Sequence, residues 1–126
     1  MPYPAQTDSV AIVHTARLLI EQNGIEQLSL AHLAATLGVK APSLYRYVPS
    51  KAALIRAVNV LTIEQLLAAY EAALLTIGSD PQAQLRAMLQ AHRAFAHANP
   101  KTYMLAFTTI DPAQRMEANI AVRMVL

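Results

Sequence analysis

Leu30, Leu33, Ala34 and Leu37 follow one another at three- and four-residue steps, the spacing that puts side chains on one face of a helix. Gly38 then interrupts the pattern at the point where a helix end calls for a left-handed backbone, and Val39 tucks into the turn. A second short helix is predicted from Ala41 or Pro42 to about Tyr47, with the proline in the first turn, where a missing amide costs no intrahelical bond. Two helices this short are not stable alone. Leu33, Leu37, Val39, Leu44 and Val48 must therefore pack on neighbouring helices, which leaves Lys40, Ser43, Tyr45, Arg46 and Tyr47 facing outward.

Upstream, Asp8 or Ser9 caps a first helix with Ile12 or Val13, Ala16, Leu19 and Ile20 on its apolar face, ended by Asn23-Gly24. Met1 to Thr7, with Pro2 and Pro4, reads as a loose arm. Downstream, Ser50 caps a helix that runs without a breaker from Lys51 to Ile77, a rod of about 40 Å. Its Leu54, Val58, Leu61, Leu66, Leu74 and Leu75 spread over more than one face, so it can touch two layers. Gly78 ends it. Three further helices each start with an Asx-Pro pair, Asp80-Pro81, Asn99-Pro100 and Asp111-Pro112, in which the Asx side chain caps free amides. The first of them puts Leu85, Met88, Leu89, His92, Phe95 and Ala96 on one broad face, the second contributes Tyr103, Met104 and Phe107, and the third carries Ala113, Met116, Ile120 and Met124.

Composition agrees with an all-α fold: 55% of the residues are hydrophobic and glycine occurs 3 times in 126 residues. At 14%, charged residues are sparse for a monomer, which favours apolar surface buried against another chain. The net charge is only +2, but its distribution matters more. No acidic residue lies between Gln27 and Ile63, whereas Lys40, Arg46, Lys51 and Arg56 do. An outward helix face with cations, phenols and a hydroxyl suits a DNA groove, where lysine and arginine offset phosphate charge and arginine can grip a guanine edge through two hydrogen bonds.

Other chemistry finds little support. There is no cysteine, which fits a reducing cytoplasm, and the amino end carries no targeting signal. Val58 to Ile77 is interrupted by Glu64, Gln65 and Glu71 and does not read as a membrane span. His14, His32, His92 and His97 lack the spacing of a metal site, and no phosphate loop, nucleophile elbow or close carboxylate pair is present. Neither an enzyme nor a cofactor is expected.

The run Ile12 to Ala57, with Ala16, Gly24, Leu30, Leu33, Ala34, Leu37, Gly38, Val39, Leu44, Tyr45, Tyr47, Ser50, Lys51 and Leu54 in register, resembles the DNA-binding domain of the tetracycline-repressor (TetR) family. Leu44-Tyr45-Arg46-Tyr47-Val48-Pro49-Ser50-Lys51 matches the family's Leu-Tyr-x-x-Phe-x-x-Lys pattern, with Val48 in place of the commoner phenylalanine. Ala91 to Phe107 is similar to the start of a regulatory domain in one branch of that family.

The resemblance implies a helix-turn-helix domain over residues 8–57, joined by the long helix to a helical ligand-binding and dimerisation domain over 58–126. The second domain is expected to be incomplete: the chain stops at Arg123-Met124-Val125-Leu126 as though inside a helix, and nothing resembles the family's last two helices. The function implied is a repressor that binds a palindromic double-stranded DNA operator, as a homodimer when full length, and is released by a small-molecule effector. The alternatives are a DNA-binding protein without an effector and an all-helical interaction module. DNA contacts are expected from Ser29, Lys40, Ala41, Pro42, Ser43, Tyr45, Arg46, Tyr47 and Lys51, and an adaptable effector pocket from Met88, His92, Phe95, Tyr103, Met104 and Phe107.

Overall fold

The computed structural model describes residues 8–108; the amino-terminal arm, the Asp111-Pro112 pair and the last expected helix lie outside them. Six α-helices follow in order, α1 (Ser9–Asn23), α2 (Leu30–Leu37), α3 (Ala41–Tyr45), α4 (Lys51–Leu74), α5 (Pro81–Ala98) and α6 (Pro100–Thr108), with a 3₁₀ turn at Ile25–Gln27, and no strand forms among the described residues.

The starts of these helices have local causes. The Ala11 amide donates to Asp8 Oδ1 at 2.7 Å, His32 N–H to Ser29 Oγ at 3.0 Å, and Ala53 N–H to Ser50 Oγ at 3.1 Å. Each bond satisfies an amide that has no partner inside its own helix. α2 ends at Gly38 in the left-handed conformation (φ 72°, ψ 28°). There the Val39 amide reaches back to the Ala34 carbonyl at 3.0 Å and the Gly38 amide to that of Ala35 at 3.2 Å, the paired bonds of a Schellman stop.

One core joins the elements. Ile12, Ala16 and Ile20 of α1 meet Leu33 and Ala34 of α2, Leu44 of α3, Val48, and Leu54 and Val58 of α4, and Leu105 of α6 belongs to the same cluster. Leu37 and Val39 pack at its edge, half-buried. The expected boundary between residues 57 and 58 falls inside α4, whose buried positions Leu54, Val58, Thr62 and Leu66 repeat every four residues as a single stripe. Thr62 fits that apolar stripe because its hydroxyl donates to the Val58 carbonyl one turn back, at 2.9 Å. α4 is long and apolar enough by composition alone to cross a membrane, yet it packs against α1, α5 and α6 as a core helix.

Four expectations are corrected. α3 stops at Tyr45, because Arg46 and Tyr47 continue as a turn in which the Tyr47 and Val48 amides both donate to the Leu44 carbonyl at 3.0 Å. α4 stops at Leu74, before Ile77, and Leu75 is 83% exposed and belongs to no packed face. Leu85 and Leu89 are exposed, whereas Met88, His92, Phe95 and Ala96 are half-buried.

The fourth correction concerns capping. Asp80 accepts from the Gln82 amide at 3.3 Å as expected, but the Asn99 side chain does not cap α6. Its Nδ2 donates to the Phe95 carbonyl at 3.1 Å, closing the end of α5, and its Oδ1 accepts from Arg17 at 3.1 Å. The free amides of α6 are taken by Glu21 of α1, whose Oε2 accepts from Lys101 N–H at 3.0 Å and from Thr102 N–H at 3.3 Å. A carboxylate brings a full negative charge to the positive end of the helix dipole, which an asparagine oxygen does not.

Candidate nucleic-acid interface

Leu44 is fully buried and anchors α3 from below, so the residues around it face solvent. Lys40, Pro42, Ser43, Tyr45, Arg46, Tyr47 and Lys51 are all exposed, and Ala41 is half-buried. Tyr45 and Tyr47 expose 51% and 50% of their surface, high for aromatic rings in a domain that has a core available to them. The Schellman stop and the Lys40 carbonyl, which accepts from Ser43 N–H at 3.0 Å, fix how α3 leaves the turn. Val48 then returns the chain to the core before α4 begins.

Around α3 the electrostatics have one sign. Lys40, Arg46, Lys51 and Arg56 are exposed, Lys51 opens α4 directly after its Ser50 cap, and the sequence between Gln27 and Ile63 holds no carboxylate. A phosphate at the start of α4 would meet the dipole and the lysine together. Ser29 has a structural duty, since its hydroxyl oxygen caps α2; its O–H proton is still available to a donor bond.

Of the six expected effector residues, His92, Tyr103 and Phe107 come together. His92 sits at a junction: its Nδ1 is hydrogen-bonded to the Tyr70 hydroxyl and its Nε2 lies 2.7 Å from the Tyr103 hydroxyl. Phe107 packs tilted against Tyr103 with ring centres 4.7 Å apart. This places α4, α5 and α6 on one polar-aromatic hub. Burial pushes the Tyr70 phenol above its ordinary value of 10.0, and the neighbouring Tyr103 adds to the rise. Tyr103 and Met104 also line an open groove of about 460 Å³ with Ala96, His97 and Pro100. Met88 and Phe95 are half-buried on α5. Sequence reasoning missed Tyr70, which stands alone in the long apolar run of α4, and it gave Arg17, Glu21 and Thr102 no role.

Among the described residues no group of three or more His, Asp or Glu side chains could hold a metal ion. A head of three helices whose turn presents a short exposed helix flanked by Lys40 and Arg46, carried on a long helix that also packs against a second helical layer, is a helix-turn-helix architecture. Residues 12–58 match the family of bacterial regulatory proteins named after tetR. Over 105 residues the chain is 32% identical to an uncharacterised HTH-type transcriptional regulator of Mycobacterium tuberculosis, covering 83% of this chain and 47% of the relative. The TetR family regulator PfmR of Thermus thermophilus superposes with a TM-score of 0.65 at 28% identity, over 94% of this chain and 64% of that one. A TetR-like regulator of a Rhodococcus species shares the fold with a TM-score of 0.69 at 22% identity, over 99% of this chain and 68% of its own. Residues 12–58 are thus a TetR-family amino-terminal segment, and the chain spans about half the length of the mycobacterial relative.

Proposed function

We propose that this protein is a cytoplasmic DNA-binding transcription regulator that represses from a palindromic operator as a homodimer and lets go when a small-molecule effector binds its second layer. The observation that carries the reading is the surface of α3 and its flanking turns: pinned by buried Leu44, they hold Lys40, Ser43, Tyr45, Arg46 and Tyr47 in solvent within a field of one sign. Residues 8–57 are the reader. Arg46, Lys40 and Ser43, with Ala41 and Pro42 at close range, meet base edges; Tyr45, Tyr47, Lys51 and Ser29 meet the phosphate backbone.

Residues 58–126 form the effector and dimerisation layer, and the hub at His92 supports a polar anchor for the effector. A neutral imidazole brings one proton and two phenols bring one each, while the hub has two hydrogen bonds to fill. One phenol proton is left over, at Tyr70 or at Tyr103. The effector is therefore an apolar molecule with a hydrogen-bond acceptor, held by that proton and packed on Phe95, Met88, Met104 and Phe107. Two half-site readers need a spacing of roughly 34 to 36 Å, which a dimer supplies.

Titrating the chain against duplexes from its own upstream DNA, with sedimentation of the complex, tests the reading. Saturable binding to a near-palindrome by two copies is expected, with release by an acceptor-bearing apolar compound and loss of that release in Tyr103→Phe. Equal affinity for operator and scrambled DNA would remove the regulator reading, and release unaltered in Tyr103→Phe and Tyr70→Phe would remove the hub from the effector site.

A further inference from the structure

Arg17 and Glu21 stand one turn apart on α1, on the strip beside Ala16 and Ile20, and both reach the start of α6. Glu21 accepts the first free amides of α6, from Lys101 and Thr102, and Arg17 Nη1 donates to Asn99 Oδ1 at 3.1 Å and to Thr102 Oγ1 at 3.4 Å. Thr102 is fully buried in this seam. We infer that Arg17 and Glu21 are positioning residues for DNA binding: together they clamp the start of α6 to the reader and set how α1, and the α2–α3 unit packed on it, is held against the second layer. The inference rests on the reading of α2–α3 as a DNA reader.

Two further features make the clamp a contact that can open. Arg17 Nε and Glu21 Oε1 are shut away from solvent and have no hydrogen-bond partner, so the closed clamp leaves one N–H of the guanidinium and one oxygen of the carboxylate unsatisfied. The same two residues are also an i, i+4 pair of opposite charge on one helix, so when the clamp opens they have each other as partners. Neither setting strands a bare charge, which is what a two-state contact requires. Tyr103 follows Thr102 directly, so a movement at the His92 hub and a movement at the clamp are movements of the same helical turn.

Amide exchange measured by NMR on the whole chain, free and saturated with a random duplex at low salt, tests this in the wild type, Glu21→Ala and Glu21→Gln. Glu21→Ala should speed exchange at Lys101 and Thr102 by about tenfold and leave the amides of α2 unaltered. Glu21→Gln, which keeps an acceptor oxygen but no charge, should fall between and also serves if the alanine variant does not fold. DNA binding should slow exchange at these two amides in the wild type, and by reciprocity Glu21→Ala should weaken DNA affinity about fivefold. Unchanged exchange at Lys101 and Thr102 would show that Glu21 does not hold α6. Faster exchange with DNA affinity kept within twofold would reduce Glu21 to a local cap and overturn the positioning role. Failure of the wild type to bind any duplex would instead remove the reader itself, and the positioning role with it, whatever the exchange data show at the cap.

Discussion

Gly24 and Gly38 both have positive φ, yet they should not tolerate side chains equally. Gly38 lies at φ 72° and ψ 28°, in the left-handed region that other residues enter at a cost of about 1–2 kcal/mol. Gly24 lies at φ 87° and ψ 158°, where glycine alone is at ease and a Cβ costs up to about 3 kcal/mol. An added Cβ meets no atom within 4 Å at either position, so the penalty is purely conformational. Alanine also narrows the unfolded ensemble, which returns about 0.4–1 kcal/mol in each case. The net expectation is a loss of about 1 kcal/mol for Gly38→Ala and about 2 kcal/mol for Gly24→Ala. Asparagine separates the two further: it visits the left-handed region readily, so Gly38→Asn should be milder than Gly38→Ala, whereas Gly24→Asn should cost as much as Gly24→Ala. Urea unfolding with an unchanged m-value provides the assay. If Gly24→Ala proved no more costly than Gly38→Ala, or if asparagine relieved both sites alike, the backbone argument would be wrong.

Lys51→Ala should lower the slope of log affinity against log salt by about 0.9, and an unchanged slope would take Lys51 off the phosphate backbone. Tyr45→Phe should weaken operator and random DNA by the same factor, since a phosphate contact carries no sequence information; a selective loss on the operator would make Tyr45 a base reader. Because the folded Tyr70 phenol titrates above its ordinary value of 10.0, the folded chain holds more protons than the unfolded chain between the two values. That contribution to stability is complete below pH 10 and is lost as pH rises through the folded value, so the wild type should lose stability above pH 10 more steeply than Tyr70→Phe. Parallel losses in the two proteins would place the shift elsewhere.

What the sequence revealed tracks how far apart the interacting residues are. The caps at Asp8, Ser50 and Asp80, the stop at Gly38 and the outward side of α3 each depend on residues within a few positions of one another, and all of these were legible. The all-α class and the helix-turn-helix were legible for the same reason. The ends of α3 and α4 were not, because nothing in a run of helix formers says at which residue the tertiary contacts cease. Nor was the hub, since Tyr70, His92 and Tyr103 come from three helices and each alone looks like an ordinary core or surface residue.

The instructive failure is at Asn99-Pro100. Locally the pair has every mark of a helix cap, and the helix does start at Pro100. The cap nevertheless comes from Glu21, 80 positions before the Lys101 amide it accepts from, and the asparagine is diverted to close α5 and receive Arg17. A local cap would have served α6 equally well as a helix start, but it would have left Arg17 alone to tie α6 to α1. By supplying the cap from α1, the fold makes the start of α6 depend on where the helix-turn-helix head sits, and α4 ceases to be the only element through which the two layers sense one another.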